Sequence, residues 1–356
     1  MGVRHERPSE PRAAARGSAR RSGAVAAALA VLLVACSGGD RPALTSETLP
    51  LATDGGTTAE DLGSGVEAGD GEVQLGEAIT VSRDDIGALV TPNGIVVPVA
   101  GVTDDGYEIT TPCGNEGFLA LGTPILGADV VLDPGHGGQV ETGAVGPNGL
   151  AEKDLNLDLA EATRTELERR GFRVVLTRTA DYRVPLRVRA EIGNRLEAGA
   201  MVSIHHNAPN WLPSDTPGTE VFVQSGSDES RRLGGLIQEA VVAALSTFEG
   251  ITWTTADDAG AIVVLNADGD DAYGMIRRPE IPAVLAEFGY LSNPSEAELF
   301  ATDAYLVAAS IALADAVESF LLTDAPGSGF VAEPRIFTPS GATGGVDGCV
   351  DPDLGA

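Results

Sequence analysis

Apolar and polar positions in the second half of this chain follow two alternating rhythms. Residues 130–132, 172–176, 200–204, 220–223, 262–265 and 283–286 are short, largely apolar runs of the kind that fill buried strands. Between them, apolar residues recur at helical spacing. Leu155, Leu159, Ala162 and Leu167 share one stripe of 152–170, with Gly171 as a stop signal. Leu186, Ala190, Gly193 and Leu196 do the same in 186–198, and Leu233, Ile237, Val241 and Leu245 in 230–248. A last helix is predicted over 303–322. This alternation predicts an α/β fold: a mixed, mostly parallel sheet with helices on both faces.

Other segments change the rhythm. Runs at 78–81, 94–99 and 107–110, separated by Pro92-Asn93-Gly94 and Asp104-Asp105-Gly106, predict a small β-rich appendage over 76–127. It is too short to be an independent domain. Residues 37–75 are rich in Gly, Thr, Asp, Glu and Ser and read as a flexible acidic linker. Residues 324–356 read as an irregular C-terminal tail, which leaves 128–323 as the main domain. There is no internal repeat.

Residues 1–36 read as an export signal. Six Arg precede an apolar stretch from Gly23 to Ala35, too short to favour a spanning helix. The stretch ends in Leu33-Val34-Ala35-Cys36, followed by Ser37-Gly38-Gly39-Asp40. This resembles the lipobox of bacterial lipoprotein signals, in which Cys36 is lipidated and becomes the first mature residue. The alternative is an ordinary signal peptide that contains a Cys. With Cys36 spoken for, Cys113 and Cys349 remain, and an even remainder in an exported chain suggests a disulfide tying the two ends of the fold. Two free thiols are the alternative.

Charge narrows the partners. The formal net charge is -29, and the leader contributes six Arg against two Glu, so the rest carries 17 basic and 50 acidic groups. Like-charge repulsion disfavours nucleic acid and anionic lipid as direct partners. Membrane contact is expected only through the lipid anchor.

The candidate chemistry sits at strand ends, where ligands collect in open α/β sheets. The chain has four His, and outside the leader they are His136, His205 and His206. Two imidazoles and a carboxylate, from His136, His205 and Glu152, leave a fourth tetrahedral position open for water, as a catalytic zinc site requires. Each has a plainer reading: a hydrogen-bonded histidine at a strand end, or a charge favoured at a helix start. In an extended segment neighbouring side chains point to opposite faces, so only one of His205 and His206 can aim at a given metal; the family resemblance given below favours His205, which leaves His206 to line the cleft or be solvated. Glu287 ends an apolar run and suits general acid–base work, or simply caps a turn. No Gly-x-Ser-x-Gly nucleophile is present.

Several motifs in order resemble one family. They are Val131-Leu132-Asp133-Pro134-Gly135-His136-Gly137-Gly138, Glu152 with Leu155-Asn156-Leu157, and Leu176-Thr177-Arg178. The helix with Leu186, Arg189 and Asn194, then Ser203-Ile204-His205-His206-Asn207-Ala208 and Gly218-Thr219-Glu220-Val221 follow. Ile276-Arg277 and Pro282 through Pro294, around Glu287, complete the set. Together they resemble the zinc-dependent N-acetylmuramoyl-L-alanine amidases, bacterial cell-wall hydrolases, from about residue 130 to 320. The resemblance implies one zinc ion per chain on His136, Glu152 and His205, acid–base work by Glu287, and substrate contacts from Asn207 and Arg277. It implies hydrolysis of the amide between N-acetylmuramic acid and L-alanine of the stem peptide, for wall remodelling or daughter-cell separation. Peptidoglycan is the implied partner, an activator is left open, and the expected site of action is the outer face of the cytoplasmic membrane, the cell wall or the periplasm. His206 stands where the family usually has a small residue. The polar stretch 254–271 leaves no room for the plugging helix of some members, though a lid is left open. A non-catalytic wall-binding protein and a zinc peptidase acting on the stem peptide are the competing readings.

Overall fold

Short apolar runs at the start of the folded region pair into an antiparallel five-stranded sheet. Its strands are β1 (Ala88–Val90), β2 (Val96–Val102), β3 (Tyr107–Thr110), β4 (Glu116–Leu119) and β5 (Thr123–Ile125), in the order β4-β3-β2-β1-β5. Leu89, Val97, Val99, Ile109 and Leu119 form its buried side, which packs against Tyr182, Val184 and Val188. The appendage therefore shares a core with the main domain. This computed structural model describes residues 83–208, 212–338 and 345–355. The expected leader, linker and 78–81 strand lie outside the described residues.

The remaining strands are β6 (Val130–Pro134), β7 (Val174–Leu176), β8 (Ala200–Asn207), β9 (Leu212–Ser214), β10 (Glu220–Val223), β11 (Trp253–Thr255), β12 (Ala261–Leu265), β13 (Ala283–Tyr290) and β14 (Arg335–Ile336). The helices are α1 (Glu152–Arg169), α2 (Leu186–Arg195), α3 (Asp228–Leu245), α4 (Gly274–Arg277), α5 (Pro294–Phe300) and α6 (Asp303–Leu322). Seven strands form the central sheet in the order β14-β12-β10-β13-β8-β6-β7. All its pairings are parallel except β10 with β13. The expected mixed, mostly parallel sheet is thus the one observed.

Alternation along the strands sorts the core into two layers. Val130, Leu132, Val202, Ile204, Val284 and Ala286 face a layer with Leu155 and Leu159 of α1, Leu233 and Ile237 of α3, and Leu313 and Val317 of α6. Val131, Met201, Phe222, Ile262 and Leu285 face the other, with Ile192 of α2, Met275 and Ile276 of α4, and Ala88 and Val96 of the appendage. Helix starts are capped: Ser227 accepts from the Ser230 amide before α3, Asn293 from Ser295 and Glu296 before α5, and Thr302 from Tyr305 before α6.

Three expectations need correction. The helix expected to reach residue 198 stops at Arg195, because Glu197 takes a left-handed backbone (φ 45°) that cannot continue it. Strands β8 and β13 run on through His205 and Glu287 rather than stopping before them, because each finds a parallel partner along that length. The tail is not wholly irregular: Arg335–Ile336 pairs in parallel with β12, at the edge of the sheet. Farther on, Cys349 is joined to Cys113 of the appendage, with Cα atoms 5.7 Å apart.

That bridge spans 236 residues of sequence, and cross-links closing long loops restrict the unfolded chain most. Replacing both cysteines by Ser should lower stability by about 2–5 kcal/mol, read as a lower denaturant midpoint at unchanged slope. Equal midpoints for the oxidised protein and the double variant would show that the bridge does not constrain the fold.

Candidate active site

Register brings distant residues to one place. Glu220 of β10 stands opposite Glu287 of β13, Glu287 opposite His205 of β8, and Ile204 opposite Pro134 of β6. Beyond Pro134 the chain turns sharply, and His136 adopts a left-handed φ of 63°. The turn is crowded against its neighbour: a Cβ on Gly135 would lie 2.2 Å from the His205 ring. Gly143 is equally confined, since its Cβ would lie 2.4 Å from Glu152 Oε2. Only glycine allows these approaches.

The three candidate ligands converge. Glu152 Oε1 lies 3.1 Å from His136 Nε2 and 3.0 Å from His205 Nδ1, and one donor atom from each of the three lies within 4.8 Å of the others. Donors around a tetrahedral zinc with bonds of about 2.0–2.2 Å sit roughly 3.2–3.6 Å apart, so the set fits such an ion. Burial pushes the His205 imidazole below its ordinary value, which keeps the ring neutral and able to ligate. Burial opposes charge on Glu152, but hydrogen bonds from both imidazoles hold its carboxyl well below the usual range. Glu152 Oε2 accepts from the Ala144 amide at 2.8 Å, and Oε1 from the His206 amide at 3.2 Å.

Two buried arginines hold the His136 turn. Arg189 donates to Asp133 Oδ1 at 2.7 Å and to the carbonyls of Pro134 and His136 at 2.6 Å each. Arg178 donates to the carbonyls of Pro134 (3.0 Å), Gly135 (3.1 Å) and Lys153 (2.6 Å). Asp133 is completed by Thr177 at 2.5 Å and Ser203 at 2.6 Å. Two charged side chains thus substitute for the strand pairing that the turn abandons.

His206 points into the opposite layer, as the alternation requires. It neither lines the cleft nor is solvated, contrary to expectation: only 1% of it is exposed. Its ring bonds Asn156 Oδ1 at 2.8 Å and the Tyr305 hydroxyl at 2.5 Å, and stacks on Phe288. Burial depresses its pKa to about 3. The Asn156 amide in turn donates to the Gly135 carbonyl and to Glu152.

Beside the ligands opens a cleft of about 650 Å³, lined by Asn207, Glu220, Phe222, Tyr273, Glu287, Arg335 and Phe337, among others. Glu287 Oε2 is buried there with no hydrogen-bond partner among the described residues. Burial first, then the Glu152 and Glu220 carboxylates, push its carboxyl well above the usual glutamate range. An unpartnered acid beside three ligating groups is suited to taking and returning a proton.

A sequence profile described as N-acetylmuramoyl-L-alanine amidase matches residues 130–319, the span that carries all of these side chains except Arg335 and Phe337. The chain belongs to the N-acetylmuramoyl-L-alanine amidase family. Zinc dependence is the known feature of that family. An uncharacterised protein, YqiI of Bacillus subtilis, is 34% identical over 199 residues, covering 55% of this chain and 86% of that protein. The amidase AmiC of Neisseria meningitidis is 28% identical over 222 residues, covering 54% of this chain and 53% of AmiC, so this chain spans about half of that relative's length. The solved amidase AmiC2 of Nostoc punctiforme is 30% identical, covering 54% of this chain and 96% of that chain, with a TM-score of 0.44. An amidase structure from Clostridium difficile 630 is 27% identical, covering 56% of this chain and 98% of that chain, with a TM-score of 0.47.

Within the amidase domain, His136, Glu152, His205, Glu287 and Asn207 come together, and Asn207 donates to Glu220 Oε2 at 2.8 Å. Arg277 does not join them. It is exposed on α4, donates to the carbonyls of Asp271 and Ala272, and lies outside the cleft lining, because the short helix turns it toward its own preceding loop. Residues 254–271 hold two strands and part of the cleft wall. Sequence reasoning assigned no role to Glu220 or Arg335. A charge opening the otherwise apolar Glu220–Val223 strand was the visible signal for the first; a lone Arg before Ile336-Phe337 was a faint one for the second.

The Asp133 carboxyl links acid stability to the site. Burial alone would raise it, but the Arg189 charge and the Ser203 and Thr177 hydroxyls outweigh burial and hold it below its ordinary 3.8. A carboxyl depressed on folding stabilises above its unfolded value, and that contribution fades as pH falls through the folded one. Asp133→Asn should cost about 3–5 kcal/mol at pH 7, as for one partner of a buried ion pair, and should flatten the acid limb of stability below about pH 4. Denaturant unfolding at a series of pH values measures both; an unchanged acid limb would place the titration elsewhere.

Proposed function

We propose that this chain hydrolyses the amide between the lactyl group of N-acetylmuramic acid and L-alanine of the peptidoglycan stem peptide, with one zinc ion on His136, Glu152 and His205. The observation that carries the reading is the convergence of those three donors beside the unpartnered Glu287 Oε2, in a chain of the amidase family. Zinc, when bound, supplies Lewis acidity toward an amide carbonyl and acidifies a water molecule. Glu287 takes the proton of the attacking water and delivers it to the leaving alanine nitrogen. The Ala144 and His206 amides hold the Glu152 carboxylate toward the two imidazoles, and the Arg178 and Arg189 bonds keep the His136 turn from relaxing. Asn207 and the aromatic wall of Phe222 and Tyr273 hold the substrate.

Three outcomes test this. Purified protein should hold about one zinc per chain; His136→Ala or His205→Ala should lose the metal, and full activity in a metal-free preparation would refute the assignment. Glu287→Gln should keep metal and fold while turnover falls by about 100-fold or more. Mass analysis of digested peptidoglycan should find free stem peptide and intact glycan; cleavage within the peptide would favour the peptidase instead.

The Leu33-Val34-Ala35-Cys36 motif supports export and a lipid anchor at Cys36. One acyl chain holds a protein only marginally, so a diacylated, lipoprotein-type Cys is the form that anchors stably. Cys36→Ser should leave hydrolysis of isolated wall intact and move the protein out of the membrane fraction; a wholly soluble wild-type protein would leave only an ordinary signal peptide.

A further inference from the structure

The segment after α6 lies beyond the family match at 130–319, yet it helps build the cleft. It runs along the outer edge of β12: the Val331 amide donates to the Ala261 carbonyl and the Phe337 amide to the Leu265 carbonyl, at 2.9 and 2.8 Å. Phe337 stacks on Tyr273, which stacks on Phe222. Between these anchors, Arg335 Nε donates to Asp258 Oδ2 at 3.0 Å, and Nη2 reaches both Asp258 Oδ1 and Glu220 Oε1. Glu220 is fully buried. Its other oxygen accepts from Asn207 at 2.8 Å and the Tyr290 hydroxyl at 2.9 Å, and its backbone stands opposite Glu287. The segment also meets the His136 side of the site. The Asp347 carbonyl accepts from Arg183, whose Nε lies 3.0 Å from Glu141, itself 3.8 Å from His136 Nδ1.

We propose that residues 330–337 are a working part of the active site and that Arg335 is a positioning residue for the hydrolysis: by pairing with Glu220 it fixes Asn207 and Tyr290 beside Glu287. The inference rests on the amidase reading above. A buried carboxylate deprived of its cation must draw in water or another donor. Glu220 then releases the two groups it orients at the wall of the cleft. Displacements of about 1 Å at such positions cost catalysis heavily.

The test uses the full mature chain acting on soluble muropeptide. Arg335→Gln should keep its zinc and lose about 10-fold or more in kcat, with a much smaller change in KM. Arg335→Lys should recover part of the loss. Arg335→Gln combined with Glu220→Gln should recover most of it, because a neutral side-chain amide at position 220 still accepts from Asn207 and Tyr290 and has no charge to satisfy. An unfolding double-mutant cycle between positions 335 and 220 reads their coupling without any substrate. Wild-type hydrolysis with an unimpaired Arg335→Gln variant, a loss not recovered by the double variant, or an absent coupling would overturn the inference alone. No hydrolysis by the wild-type chain would overturn the amidase reading and this inference with it.

Discussion

The buried Asp133–Arg189 pair, with Arg178 beside it, is the constraint on which the site depends. The left-handed turn that carries His136 needs its carbonyls held, because a turn that leaves the sheet has no strand to bond. Arg189 reaches from α2 to the Pro134 and His136 carbonyls. Arg178 reaches from the end of β7 to Gly135 and, on the same nitrogen, to the Lys153 carbonyl in the first turn of α1. The turn bearing His136 and the helix start bearing Glu152 are thereby tied to one guanidinium. Two cations against one carboxylate would be costly in an apolar core. Converging carbonyl dipoles offset part of that cost, and the Arg178 guanidinium, lowered to about 10 by burial and by Arg189, remains charged at neutral pH.

A second support comes from the opposite layer. His206, Asn156 and Tyr305 form a buried hydrogen-bonded chain that ends on Glu152 and the Gly135 carbonyl. Adjacent histidines on one strand therefore serve different ends. His205 faces the cleft, and His206 locks the strand to α1 and α6. Where neighbouring residues point to opposite faces, a polar pair like this couples the packed core to the exposed site.

Glu220, Asp257, Asp258 and Glu287 put four carboxylates into the cleft lining, and the cation that lines it with them, Arg335, comes from far along the chain. Glu220 and Asp258 share Arg335; outside the cleft lining, Asp181 pairs with Lys153 at 2.6 Å. The disulfide between Cys113 and Cys349 secures the far end of the same segment to the appendage.

The order of residues along the chain made the central strands and the long helices legible and pointed to the chemistry of the family. Side-chain period is a property of neighbouring residues, so the strands around Ile204 and Ala286 and the stripe of Leu155 and Leu159 were legible, as was the opposition of His205 and His206. The order of the motifs made the family, and with it His136, Glu152, His205 and Glu287, legible too. What those elements meet was settled only by the folded chain. Period does not encode which strand edges pair, so the reversal of β10 against β13 that sets Glu220 opposite Glu287 had to come from long-range packing. The same holds for the burial of His206 under Phe288 and Tyr305, for Arg277 turning away from the cleft, and for Arg335 returning along β12. Each depends on contacts between residues distant in sequence, whose energies exist only once the chain has closed on itself.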